Sequence, residues 1–136
     1  MDIVFHPIGY IRSPYKESKE APRQGMMALD ATAVLELLPA FAEGARDIKA
    51  GSYGMIFFYF HQSHDYDLVT IARGIMEERG VFSTRSPRRP NGIGLSIVKF
   101  TKVEGNCLEF SGVDMLDGTP VLDIKPYNES FHPKMT

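Results

Sequence analysis

The chain has 136 residues, a formal net charge of −2, and 43% hydrophobic and 24% charged residues. That is the composition of one folded domain able to bury roughly two-thirds of its surface, and it excludes a disordered chain and a uniformly basic nucleic-acid binder. The longest apolar run, Met55 to Phe60, is too short to cross a bilayer; Asp2, His6 and Pro7 interrupt the N-terminus where a signal peptide needs an apolar core; and a lone cysteine, Cys107, permits neither an internal disulfide nor a Cys-based zinc site.

A cytoplasmic protein without a membrane segment is expected, with Cys107 as a packing residue. In chain order, Ile3 to Ile11 mixes β-branched and aromatic residues and reads as a strand ending at Ser13-Pro14. Residues 31–38 fit strand or helix. Pro39 to Ile48 is a short amphipathic stretch with proline in its first turn. Gly51 to Gly54 is a turn, and residues 55–60 read as a strand buried on both faces. Residues 67–79 are ambiguous: Leu68, Ile71, Ala72, Ile75 and Met76 are spaced as in a helix, but Gly74 weakens one, and the reading leans to strand before Gly74 and loop after it. Residues 94–103 and 107–113 are strands joined by the hairpin signal Glu104-Gly105-Asn106, and Asp117-Gly118 is a turn leading into a strand from Thr119 to Ile124. Six or seven short strands separated by turns predict a mainly β fold, a small closed barrel with short helical segments.

One stretch stands apart. From Gly80 to Val103 there are five positive residues (Arg85, Arg88, Arg89, Lys99 and Lys102) and no acidic one, which leaves 10 positive and 17 negative residues for the remaining 112. A near-neutral total therefore conceals a basic segment on an acidic body. Pro87 and Pro90 restrict the loop that carries three of the arginines, lowering the entropy cost of presenting them as a fixed array. Such an array suits phosphate, carboxylate or stacked-base recognition, or pairs with the acidic body.

Two long motifs, Gly80-Val81-Phe82-Ser83-Thr84-Arg85-Ser86-Pro87 through Asn91-Gly92-Ile93-Gly94-Leu95, and Asp114 to Tyr127, resemble the signatures of the TrmO (TsaA-like) family. Ile8 to Pro14, Ala21 to Gly25 and Phe58 to His61 follow in the expected order. The resemblance implies an S-adenosylmethionine-dependent methyltransferase that modifies N6 of threonylcarbamoyladenosine at tRNA position 37. It also implies a small β-barrel and a homodimer with cofactor pockets near the interface. A doubly wound methyltransferase needs a Gly-rich βα turn, and no G-x-G-x-x-G occurs here. Two departures stand out: Gly92 takes the place of a proline common in the family, and the chain runs only nine residues past Tyr127. The second implies a single TsaA-like domain over 1–136, without the C-terminal tRNA-binding domain of bacterial relatives.

By resemblance, the cofactor-binding residues are Pro22, Arg23, Gln24, His61, Gln62, Arg85, Arg89, Leu95, Leu116, Asp117, Gly118 and Thr119. Read without it, residues 116–119 form a plain Asp-Gly turn, 22–24 a surface loop, and His61-Gln62 a strand end. Arg89 is a candidate for a cofactor or substrate carboxylate, and Arg88 for tRNA phosphate. Asp114, Asp117, His61 and Tyr127 are open as the base that takes the N6 proton, with Asp117 and Tyr127 foremost. His61, His64, Asp65 and Asp67 are poorly spaced for one metal, because strand residues i and i+3 face opposite ways, and no metal site is assigned. The alternatives are a methyltransferase with another substrate and a non-catalytic RNA-binding module using the Arg85–Arg89 loop.

Overall fold

The protein is described from a computed structural model, over residues 1–16, 31–72, 74 and 76–134. Eight strands lie among these residues: β1 (Gly9–Arg12), β2 (Thr32–Leu37), β3 (Tyr53–Tyr59), β4 (Val69–Ile71), β5 (Glu78–Gly80), β6 (Ile93–Glu104), β7 (Cys107–Ser111) and β8 (Pro120–Pro126). Six of them pair antiparallel into a closed ring in the order β1-β2-β7-β6-β3-β8. The remaining two, β4 and β5, form a separate exposed ribbon.

A ring has one interior, and each strand obeys it by alternation. On β3, Gly54, Ile56 and Phe58 are buried while their neighbours are half-buried or exposed. The run 55–60 is therefore not buried on both faces, as its continuous apolar sequence predicts; its second face is the outside of the ring. On β6 the inward set is Gly94, Ser96, Val98 and Phe100. Ile56, Phe58, Val98 and Phe100 make one hydrophobic core with Ile11, Leu35, Leu108, Phe110, Val113, Met115 and Val121.

Closure requires bending. The β3–β8 register shifts between Phe57 and Phe58, and the β6–β7 register between Phe100 and Lys102; such bulges add local twist and curvature. Glycine makes room inside. A Cβ on Gly94 would lie 2.4 Å from Cζ of Phe58 and 2.9 Å from Cζ of Phe60, and one on Gly54 would lie 2.6 Å from Cε2 of Phe100. The aromatic rings occupy the volume that side chains at these strand positions would take.

Other differences from the sequence reading have local causes. The first strand begins at Gly9 rather than Ile3, because Pro7 has no N–H to give a ladder; Ile3, Val4 and Phe5 are exposed. Residues 31–38 resolve as strand. The stretch after Pro39 is a 3₁₀ helix, Pro39–Ala45, and the other helical segments described, Val81–Ser83 and Glu129–Phe131, are also 3₁₀. Residues 67–79 supply β4 and the start of β5, with the chain turning back between them; the leaning to loop after Gly74 misses β5.

Gly94→Ala is expected to destabilise the fold by about 1–3 kcal/mol, the usual cost of overpacking. Phe58→Leu in the same chain should recover part of that loss. Urea unfolding midpoints of the three proteins check this.

Candidate active site

β3 runs antiparallel to both β6 and β8. The end of β3, the start of β6 and the turn before β8 therefore meet at one end of the ring. β1, antiparallel to β8, delivers its own C-terminal end there too. This places His61-Gln62, the Asn91-Gly92 end of the basic loop, and Leu116 to Thr119 together. The Phe60 N–H donates to the Gly92 carbonyl at 2.8 Å, tying the loop to the residue before His61. Gly118 has φ +81°, a conformation that suits glycine, and a Cβ there would sit 3.8 Å from Nε2 of His61. Leu95, on β6 opposite Phe57, and Leu116 are half-buried.

The turn is firmly built. The Thr119 hydroxyl donates to the Leu116 carbonyl at 2.6 Å, and Thr119 is buried. The Asp117 N–H donates to Tyr15 O and the Gly118 N–H to Ile11 O, both at 2.7 Å. The Asp117 carboxylate accepts from the Ser13 N–H at 3.0 Å and pairs with Lys16 Nζ at 2.9 Å. Lys16 first, and then the Ser13 N–H, hold this carboxyl below the ordinary carboxylate range. Lys16 and Ser13 were not picked out as site residues from the sequence; their role depends on a partner about 100 residues away, and only the adjacent Ser13-Pro14 signal marked the place. Asp114, just before the turn, accepts a hydrogen bond from the buried hydroxyl of Ser96.

In the basic loop, Arg85 and Arg88 are exposed and Arg89 is half-buried. Arg88 pairs with Asp67 at 3.2 Å. Arg89 points its guanidinium at the loop's own carbonyls. Pro22, Arg23 and Gln24 lie outside the described residues. The described chain leading towards them stops at Lys16, whose carbonyl accepts from Gln62 Nε2 at 3.4 Å.

Tyr127 is not brought to this end. It follows β8, whose seven residues span about 20 Å, and it stacks on His132 with ring centroids 5.1 Å apart. A cavity of about 770 Å³ opens beside it, with Phe41, Tyr53, Phe100 and Phe131 in its wall. Two polar groups of that wall are already engaged. Asp123 pairs with Lys125 and accepts from the Ile124 N–H, and the Asn128 side chain accepts from Ser130.

Comparison with known proteins places this geometry. The family profile described as tRNA-methyltransferase O N-terminal domain matches residues 10–132. A Pyrococcus abyssi protein named as a probable S-adenosyl-L-methionine-binding protein is 43% identical over 129 residues, covering 95% of this chain and 70% of its own. A Mus musculus tRNA (adenine(37)-N6)-methyltransferase is 40% identical over 133 residues, covering 93% of this chain but only 31% of its own. The crystal structure of TrmO from Pseudomonas aeruginosa superposes with a TM-score of 0.79 at 42% identity, covering 96% of this chain and 58% of that one. The chain thus spans between about a third and 70% of the length of these relatives.

Because the folded-state pKa of Asp117 lies below its unfolded value, its ionic contribution is complete above the ordinary carboxylate pKa and is lost as pH falls through the lowered one. Asp117→Asn keeps an acceptor for the Ser13 N–H and removes the charge facing Lys16. The wild type is expected to be the more stable protein at neutral pH, and the difference should shrink below about pH 4. Thermal midpoints from pH 7 downwards check this; a difference independent of pH would contradict it.

Proposed function

The chain belongs to the TrmO family, and from that membership we propose that it is an S-adenosylmethionine-dependent methyltransferase acting on N6 of adenine 37 in tRNA, with threonylcarbamoyladenosine as the nucleoside it takes. The observation that carries the reading is the convergence of His61-Gln62, the 116–119 turn and the basic loop at one end of the ring. The small closed barrel expected from the sequence is our reading of the ring, and a single TsaA-like domain over residues 1–136 our reading of the chain.

The residues at this end fit the cofactor. We read the space above the exposed Gly118, where a Cβ would stand 3.8 Å from the His61 imidazole, as the cofactor's cradle. Leu95 and Leu116 offer half-buried apolar surface for an adenine ring. Pro22, Arg23 and Gln24 belong to the same proposed set. Arg85, named for the cofactor by resemblance, is exposed on the basic loop beside Arg88 and is read with it as an RNA contact. When bound, S-adenosylmethionine supplies a methyl group on a sulfonium centre.

The rest falls to the chain. The substrate nitrogen is ureido-like, with a delocalised lone pair, so holding it in line contributes much of the acceleration. The N6 proton must also be accepted. Asp117 is the weaker choice, because Lys16 and the Ser13 N–H stabilise its ionised form; its work is to hold the turn. Tyr127 stands at the other end of β8, and Asp114 is bonded to Ser96. We assign the proton to His61, which faces the Gly118 cradle. Arg88 is the phosphate contact; its ion pair with Asp67 is more than half exposed on both sides and yields readily to RNA.

We further propose a homodimer working in the cytoplasm. Leu68, Val69, Ile71, Met76 and Phe82 are each at least 56% exposed on or beside the β4–β5 ribbon. A lone two-stranded ribbon is marginal in water, and a second subunit would cover this one.

Incubation with S-adenosylmethionine and tRNA carrying threonylcarbamoyladenosine is expected to add one methyl group to that nucleoside, read by nucleoside mass analysis. tRNA lacking the modification should gain nothing, and a methyl group on another nucleoside would overturn the substrate assignment. His61→Ala should lower kcat by about a hundredfold or more in the same assay.

A further inference from the structure

We propose that Arg89 is a positioning residue: it shapes the basic loop from within so that Arg85 and Arg88 are presented to RNA. The proposal rests on the tRNA reading above and gives Arg89 a role different from the ligand contact that the family resemblance implies.

The contacts of Arg89 run inward. Arg89 Nη1 donates to the carbonyls of Thr84 at 3.0 Å and Ser86 at 3.1 Å, and Nη2 donates to the carbonyl of Val81 at 3.4 Å. Around that centre the Thr84 hydroxyl also donates to Val81 O, the Ser86 N–H to the Thr84 hydroxyl, and the Arg88 N–H to the Ser86 hydroxyl. Three carbonyl dipoles facing one point repel one another unless a cation stands there. Arg89 is that cation, and its planar fork reaches three acceptors at fixed spacing, which a lysine ammonium matches poorly. With the carbonyls gathered inward, Arg85 and Arg88 lie exposed on the surface. Pro87 and Pro90 flank the pair Arg88-Arg89 and limit the alternatives open to the loop.

Affinity for tRNA, measured over a range of salt, separates presentation from contact. Arg89→Met is expected to weaken binding about tenfold and to flatten the salt dependence by more than its own single charge accounts for, because two other cations disengage with it. Arg89→Lys should restore part of the affinity. In an Arg85→Ala/Arg88→Ala background, Arg89→Met should change affinity by less than about twofold, the signature of coupling rather than addition. A fully additive loss would overturn the proposal and make Arg89 a ligand contact. Amide hydrogen exchange over residues 84–89 tests the clamp without RNA. It should quicken in Arg89→Met while the thermal midpoint stays near the wild type's, and unchanged exchange would overturn the clamp. If Arg85→Ala/Arg88→Ala binds tRNA like the wild type, the loop is no RNA contact and presentation is overturned on that ground, a failure distinct from that of the clamp.

Discussion

The ring closes at its shortest seam, where a few backbone bonds and one carboxylate join β1 to the turn before β8. β1 and β8 share only two residue pairs, Gly9 with Val121 and Tyr10 with Pro120. Beyond them the seam continues through the Ile11 and Gly118 N–H groups and ends at Asp117, which gathers the Ser13 N–H and Lys16. That clamp adds a charged anchor to the backbone bonds that already tie the chain leaving β1 to the turn entering β8: Ile11 N–H to Thr119 O, Gly118 N–H to Ile11 O and Asp117 N–H to Tyr15 O. The clamp also frees Gly118 to face His61, so the group that closes the fold builds one wall of the site.

The interior sets the second constraint. A six-stranded ring is narrow, and its large side chains fit because glycine stands opposite them. Gly94 lies across from Phe58 in the β3–β6 ladder and yields its side-chain space to that ring. Phe60 packs edge-on against Phe58, with centroids 5.1 Å apart, and its N–H holds Gly92. A line of contacts therefore runs from the core to the base of the arginine loop. The loop's charge is acid-free in sequence, and in space it stands at the ring end where the turn's own carboxylate is already matched by lysine.

What the sequence made legible was local. Glu104-Gly105-Asn106 marked the β6–β7 hairpin, and Gly105 has the positive φ that a tight turn favours. Asp117-Gly118 marked the turn before β8, and Pro39 opened a helical turn. The family resemblance also brings His61, Leu116 and Gly118 into one candidate site. What stayed hidden was set by distant partners. Nothing near Lys16 announces Asp117, and nothing in the order of letters says that Arg89 turns inward while Arg88 turns out. Tyr127 shares a motif with Asp117, yet a strand that runs the length of the ring carries it away. The apolar run 55–60 read as doubly buried because its pattern cannot distinguish a sheet covered on both sides from a ring whose outer face keeps half-exposed Met55 and Phe57.

The cofactor is assigned to the Gly118–His61 end of the ring. Calorimetric titration with S-adenosylmethionine tests it directly when two variants are set beside the wild type. Gly118→Val puts a branched side chain into the cradle, and Tyr127→Ala alters the cavity at the far end. A cofactor at that end means binding by the wild type, retained in Tyr127→Ala and lost in a folded Gly118→Val. Binding lost in Tyr127→Ala and kept in Gly118→Val, or no binding by the wild type, would contradict it.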